Sequence, residues 1–493
     1  MAFIAVDLGT TNIKVTAYDN DLHTLNTESI TVNYDKRDNW VEFDADEYFR
    51  ILSKAIRGCC SGFLSDAEDH EIVLTGQAES LVVVGKNGKP LRNAISWLDE
   101  RSKNECNELA QVFSNDLVYK TTGQVAIIPT WPITKILWIK KNEPEVFSRV
   151  HKYLLLKDYI QYRLTGKYLG EYSIYNFSLY FDLNNKSFWH EILDFVGIST
   201  EQLPQLIEPC TNIGTITTQA ASETDLPQPT TVNVGTLDHF AGMIGTGNIH
   251  KGIISESTGT VLSIATLVRA QSDAIPSGIP YHYGPFKDSY ILLSTCESGG
   301  INLEWYKSNF LTDVDYGHIE KELISRKKPG DIYYLPYLAG VNAPDYEEDA
   351  SGVFYGLKLH HDRFDLALSV MEGVAFMLAR NMEEYKKAGL DIKQIISTGG
   401  GSQSMVWSQI KADVTDCEIA VPAEKEAACL GAAMIGAVDK GIFGSFQEAV
   451  ERCVSITQKL SPVNHVLYSQ HYQFYAELKG IISDNFWNSD NKN

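Results

Sequence analysis

"FIAVDLGTTNIKVTAYD" occupies residues 3 to 19, and its reading decides the fold class. An apolar run, Phe3 to Val6, meets a turn rich in Gly and Thr, after which Ile13 to Tyr18 alternates apolar and polar side chains. That order predicts a β-hairpin with a buried first strand and a half-buried second. A later stretch, "GIISESTGTVLSIATL" (252 to 267), repeats the plan. Setting Gly9 over Gly259 puts Thr10 over Thr260 and Asp7 over Ser257. An offset of about 250 residues in such a chain is what two similar halves produce. Only the first copy carries an acid, so a metal ion is expected to lean on the first half.

The length of 493 residues is too great for one hydrophobic core and suits two domains of roughly 200 to 250 residues. Strand-like runs such as "EIVLTG" (71 to 76) and "KQIISTGG" (393 to 400) alternate with helical patterns such as "DLALSVMEGVAFMLARNMEEYKKAG" (365 to 389). The mixture indicates an α/β class with helices packed on sheets. The glycine-dense stretch from 245 to 252, where the second hairpin begins, gives the expected division: residues 1–248 and 249–493.

A net charge of -21 argues against a nucleic-acid or anionic-membrane partner, because both need clustered Lys and Arg to displace counterions. An anionic ligand would have to be held by backbone donors and a metal ion. No apolar run approaches a membrane span, and "MAFIAVDLGTTN" lacks the basic opening, long apolar stretch and cleavage site of a signal peptide, so the cytoplasm is the expected location. The eight cysteines form no CxxC pair and no zinc-like Cys/His spacing, which reads as reduced thiols.

Four short stretches carry chemistry. "DLGTTN" (7 to 12) offers backbone N–H groups and hydroxyls around a glycine, which suits polyphosphate oxygens, and Asp7 at the strand end could hold Mg²⁺ through water. A plain hairpin turn is the alternative, weakened by the partner turn "STGT" (257 to 260). "ISTGGGSQSMVW" (396 to 407) sets three glycines between a strand and a helix: either a tight connection or a flat surface for a purine or ribose. Asp238 in "GTLDHFAGM" (235 to 243) is read as a helix N-cap, as a base or aligning group at a cleft, or as both. Glu79 in "TGQAES" is an exposed turn residue or a carboxylate that accepts hydrogen bonds from adjacent hydroxyls of a sugar or polyol, and Trp97 in "ISWLDERS" is a core residue or an apolar wall for carbon-bound hydrogens. The acidic "DYEEDA" (345 to 350) is expected to be a solvated loop, and His360 and His361 are expected to point apart at the surface.

In this order the motifs resemble the FGGY family of carbohydrate kinases nearly from end to end. One family signature is matched throughout "GVFYGLKLHHDRFDLALSVME" (352 to 372); the other is matched by "WPITKILWIKKN" (131 to 142) and departs at Thr130. The resemblance implies two actin-like, ribonuclease-H-like domains with an ATP and sugar cleft between them, and ATP and Mg²⁺ as cofactors. It implies Asp238 as the catalytic base and Asp7 as the metal-organising acid. Gly9, Thr10, Thr11 and Asn12 form the implied first phosphate turn, Gly259 and Thr260 the second, and Gly400 and Gly401 the adenosine contact. Gln77, Ala78, Glu79, Trp97 and His239 join Asp238 on the implied substrate list. The expected partner is a small-molecule sugar, and a homodimer is an assembly the family uses. Xylulose kinases of the family read "GQMHG" where this chain has "GQAES", and glycerol kinases carry Arg-Glu there. The frame around "ISWLDERS" looks more like the pentulose kinases, so a ketose such as xylulose leads. Glycerol, erythritol or erythrulose, ribulose, fuculose and gluconate are the alternatives. The competing class is an actin-like or heat-shock-chaperone-like nucleotide switch, which needs no acid at position 238. A dehydrogenase fails for want of a dinucleotide glycine fingerprint after the first strand.

Overall fold

The computed structural model describes residues 1–62, 64, 69–269, 278–340, 343–347 and 349–487. Two compact units result: Met1–Ile249 with Tyr281–Tyr290 and Glu424–Val454, and His250–Pro280 with Ile291–Ala423 and Ser455–Asn493. The chain thus returns twice to the first unit after leaving it.

The first unit is built on six strands: β1 (Ala2–Leu8), β2 (Asn12–Tyr18), β3 (Thr24–Thr31), β4 (His70–Gly76), β5 (Asn212–Thr215) and β6 (Thr231–Asn233), in the order β5-β6-β4-β1-β2-β3. β1 is antiparallel to β2, with Asp7 opposite Lys14, and parallel to β4, with Asp7 beside Thr75. Successive side chains of a strand take opposite faces. Ile4, Val6 and Leu8 enter one apolar core, and Phe3 and Ala5 enter another together with Leu430, Ala433 and Met434. Burial on both faces explains why the opening strand is apolar without alternation, and the period places Asp7 on the face of Phe3 and Ala5.

That second core is closed by the helix Ala427–Asp439, whose sequence, AACLGAAMIGAVD, is small and apolar on all sides. Small residues let it approach the helix Asp238–Gly245 backbone to backbone. A Cβ on Gly431 would lie 1.8 Å from the Ala241 carbonyl oxygen, and one on Gly245 1.9 Å from that of Ala427. No side chain fits at either position.

The central strands of the second unit are β7 (Ile253–Thr258), β8 (Leu262–Arg269), β9 (Gln394–Thr398), β10 (Glu418–Pro422) and β11 (Ile456–Leu460), in the order β8-β7-β9-β10-β11. β7 is antiparallel to β8 and parallel to β9, which is the plan of β2-β1-β4. Leu8 and Thr258 end the first strands of the two hairpins, and Asn12 and Leu262 begin the second strands, so the offset of 250 holds at both ends of the turn.

Three local expectations need correction. The helix starts at Asp238 itself and Leu237 occupies the cap position, so Asp238 is its first residue; its Oδ1 accepts the His239 N–H at 2.6 Å. In "DYEEDA", Asp345 and Glu347 are partly buried and paired, Asp345 with Arg380 at 2.8 Å and Glu347 with Lys479 at 2.6 Å, because cations from distant helices reach them. His360 and His361 lie on a turn rather than a strand, and their rings pack edge to face with centroids 4.3 Å apart. All eight cysteines are free.

Gly431→Val is expected to cost about 3 kcal/mol of stability through overpacking in denaturant unfolding. Gly242→Ala in the facing helix, where a Cβ meets nothing within 4 Å, is expected to cost nothing and to gain up to about 1 kcal/mol of helix propensity.

Candidate functional site

In the first unit the turn from Gly9 to Asn12 is pinned on three sides. The Tyr48 hydroxyl donates to the Gly9 carbonyl at 2.9 Å, the Val32 N–H donates to the Thr11 carbonyl at 2.9 Å, and the Trp97 Nε1–H donates to Thr10 Oγ1 at 2.8 Å. The Asn12 side chain accepts from Thr31. Thr10 is half-buried, whereas Thr11 and Asn12 are exposed.

Asp7 stands at the start of this turn with its Oδ1 buried and lacking a hydrogen-bond partner. Burial pushes its carboxyl up to about 7; Asp238 and Glu426 add to the rise, and Lys14 opposes it. Lys14 itself is joined to Glu426, beside the start of the alanine-rich helix Ala427–Asp439. A buried carboxylate oxygen without a proton donor, in the field of a second carboxylate, is a donor set that fits a hard divalent cation.

Asp238 is also raised by burial, against the lowering effects of the His239 ring, the His239 N–H and Lys157. It is delivered by the irregular segment that follows β6. Gly235 there has φ +57°, and a Cβ would sit 1.9 Å from the Leu74 carbonyl oxygen, so only glycine brings this segment against the end of β4. Burial lowers the His239 ring, next in the chain, against the raising effect of Asp238, and burial pushes the His282 ring down to about 3. His282 stacks on Phe177 with centroids 4.2 Å apart, and its Nδ1 lies 3.3 Å from Gln124 Nε2, which also donates to the Asn176 carbonyl at 3.1 Å. Since the Gln124 nitrogen faces a carbonyl, it is a donor toward His282 as well; the imidazole must accept at Nδ1 and carry its proton on Nε2.

Glu79 is half-buried, with a left-handed backbone at φ +59°, an unusual conformation for a residue with a side chain. Burial raises its carboxyl, Lys135 opposes the rise and Asp238 adds to it. Lys135 is fully buried in the helix Pro132–Asn142 and donates to the carbonyls of Ser96 and Thr130, both at 2.8 Å. Gln77 and Ala78 are buried; the Gln77 oxygen accepts from Ser80, whose own oxygen accepts the Trp97 N–H. Lys135, Gln124 and His282 were not singled out by the sequence reading. For Lys135 a signal existed, a lone cation in the apolar run "PITKILWI".

In the second unit the turn at Gly259 and Thr260 is tied to the start of the helix Ile301–Phe310: Gly300 N donates to the Gly259 carbonyl at 2.7 Å, and Ile301 N donates to that of Thr260 at 3.2 Å. Gly400 and Gly401 open a 3₁₀ turn after β9, and a Cβ on Gly401 would lie 2.6 Å from that of Thr258. Beneath both turns Lys411, fully buried, donates to the two Glu256 oxygens at 2.9 and 3.0 Å and to Thr258 Oγ1 at 2.8 Å, and Ser397 donates to Glu256 at 2.5 Å. The candidate residues thus gather in two sets, one per unit.

The family model for the N-terminal domain of the FGGY family of carbohydrate kinases matches residues 2–245, and that for the C-terminal domain matches residues 243–439. Among curated relatives, the chain is 29% identical to a xylulose kinase of Staphylococcus epidermidis over 96% of both chains. It is 26% identical to a gluconokinase of Bacillus subtilis over 93% of this chain and 91% of that one. The xylulose kinase structure from Rhodospirillum rubrum superposes with a TM-score of 0.91 over 98% of this chain and 99% of that one, at 22% identity. The actin-like α/β architecture is shared with such structures. Among the described residues no helix is long and apolar enough to cross a membrane.

A carboxyl held above its unfolded pKa binds its proton more tightly when folded. It therefore favours folding below the unfolded value and opposes it increasingly as pH rises toward the folded value. For Asp7 the window runs from 3.8 to about 7. Asp7→Asn is thus expected to stabilise the ligand-free protein at pH 8 by at most about 4 kcal/mol, read as a raised melting temperature, and to have little effect at pH 4.

Proposed function

Because the chain belongs to the FGGY family of carbohydrate kinases and is a sugar kinase drawing its phosphoryl group from ATP, we propose that it phosphorylates a primary hydroxyl of a small neutral ketose, xylulose first, with Asp238 as general base. The observation that carries this reading is the shared field of three carboxylates, Asp7, Glu79 and Asp238, in the first unit. Each feels one amine: Asp7 the Lys14 that is paired with Glu426, Asp238 the Lys157 that is paired with Glu171, and Glu79 the Lys135 whose own pKa burial lowers to about 7. Such a field, which already raises its own carboxyls, disfavours the added carboxylate of a sugar acid and favours a polyol chain whose hydroxyls donate to carboxylates. The names of the xylulose kinase relatives support the same choice over gluconate.

In this mechanism the sugar oxygen attacks the γ-phosphorus while its proton passes to an Asp238 oxygen. The new O–P bond forms as the bond from the γ-phosphorus to the bridging oxygen breaks, and ADP leaves. Asp238 is suited to the part, since burial has already raised its proton affinity and the His239 N–H holds one of its oxygens. Trp97, bonded to Thr10, gives the sugar an apolar wall joined to the phosphate turn, and Glu79 takes adjacent hydroxyls. Mg²⁺, for which the unpaired Asp7 oxygen is the natural holder through water, would neutralise phosphate charge during transfer. Gly259 and Thr260 are assigned to phosphate, and Gly400 and Gly401 to adenosine.

Asp238→Asn is expected to lose at least about a hundredfold in kcat while ATP affinity, read by calorimetry, stays within about twofold. Wild-type turnover in the folded variant would remove the base from Asp238. Glu79→Ala is expected to raise the sugar KM at least about tenfold with the ATP KM unchanged, and an unchanged sugar KM would take Glu79 out of the pocket.

A further inference from the structure

Behind the segment that carries Asp238 lies a buried ion pair that the reaction as described does not use. Lys157, near the start of the helix Leu156–Thr165, donates to Glu171 Oε1 at 2.7 Å, and both side chains are fully excluded from solvent. Glu171 ends the short strand Leu169–Glu171 and caps the four-residue helical turn after it, its Oε2 accepting the Ser173 N–H at 2.5 Å. The Ser173 hydroxyl donates to Glu171 Oε1 at 2.8 Å. Its oxygen then faces the Thr236 hydroxyl at 2.8 Å and accepts the Leu237 N–H at 3.2 Å. One donor and two acceptor sites are all a serine hydroxyl has, so Ser173 is fully used and its direction is fixed. On the other side of the same segment, Thr75 donates to the Thr236 carbonyl at 2.9 Å, and Cys210 N donates to the Gly235 carbonyl at 2.7 Å. Thr236 is therefore clamped from both sides, with Leu237 held on the Ser173 side and Gly235 on the other, and neither Ser173 nor Thr236 reaches solvent.

Burying an ion pair costs several kcal/mol, and an apolar replacement of equal volume is often as stable, so stability alone is a poor reason for one here. We propose that Lys157, Glu171 and Ser173 are positioning residues that act through Thr236 and Leu237 to aim the Asp238 carboxylate at the reacting hydroxyl. The direction of the chain supports this: the clamp ends one residue before Asp238, and the helix it begins cannot shift sideways because Gly245 lies backbone to backbone against Ala427. The Lys157 charge also reaches Asp238 and favours its ionised form. The inference rests on Asp238 being the base, and its test separates the two.

The experiment is a double-mutant cycle read as kcat and both KM values in steady-state ADP release, with thermal melts to check folding. Ser173→Ala is expected to lower kcat about tenfold to a hundredfold, the scale of a misaimed catalytic group, with both KM values within about twofold. In an Asp238→Asn background the same change is expected to cost nothing further, because there is no carboxylate left to aim. Thr236→Val, which keeps the shape and removes only the hydroxyl, is expected to move kcat in the same direction and serves if Ser173→Ala does not fold. Wild-type kcat in the folded variants, or an equal loss in both backgrounds, would overturn the positioning role. Normal turnover of Asp238→Asn would instead overturn the base beneath it.

Discussion

A carboxylate at the end of a strand buried on both faces keeps one oxygen out of water, and Asp7 is such a group. Its unpaired oxygen, and the rise of its carboxyl to about 7, mark an electrostatic cost that Lys14 only partly offsets. Asp238 and Glu79 share that cost. Much of the first unit is explicable as the scaffold that keeps three acids close: the paired registers of β1 with β2 and β4, the helix–helix contact at Gly245 and Gly431, and Lys135 fixed by two carbonyls. In a family of carbohydrate kinases, a substrate whose hydroxyls donate to carboxylates suits such a neighbourhood.

The second unit meets a parallel demand by other means. Its hairpin turn carries no acid, yet it too rests on a buried ion pair, with Glu256 on β7 and Lys411 on the helix Met405–Thr415. Because Thr258 is bonded to that amine and packs under Gly401, the turn at Gly259 and the turn at Gly400 form one rigid piece within the unit. The repeat legible at an offset of 250 residues therefore repeats backbone, while the chemistry of the two turns has diverged.

What could be read in the sequence was local. The two hairpins declare themselves by period and glycine, and Asp238 by standing alone at the step from strand to helix. What escaped was the pairing of distant residues. Lys14 meets Glu426 across 412 positions, and Lys157 meets Glu171 where the helical and strand patterns on either side give no hint of a charge in a core. The same blindness misread Asp345 and Glu347, whose cations come from other helices, and passed over Gln124 and His282, joined across 158 positions. Spacing betrays a motif only when its parts share a segment.

The most direct test is release of ADP from ATP and Mg²⁺ by the purified protein, compared across xylulose, ribulose, erythrulose, glycerol, gluconate and a blank without sugar. The account predicts that a neutral ketose, xylulose first, raises the rate at least about a hundredfold over the blank, with gluconate near the blank. Release independent of added sugar, or gluconate as the best substrate, would contradict it.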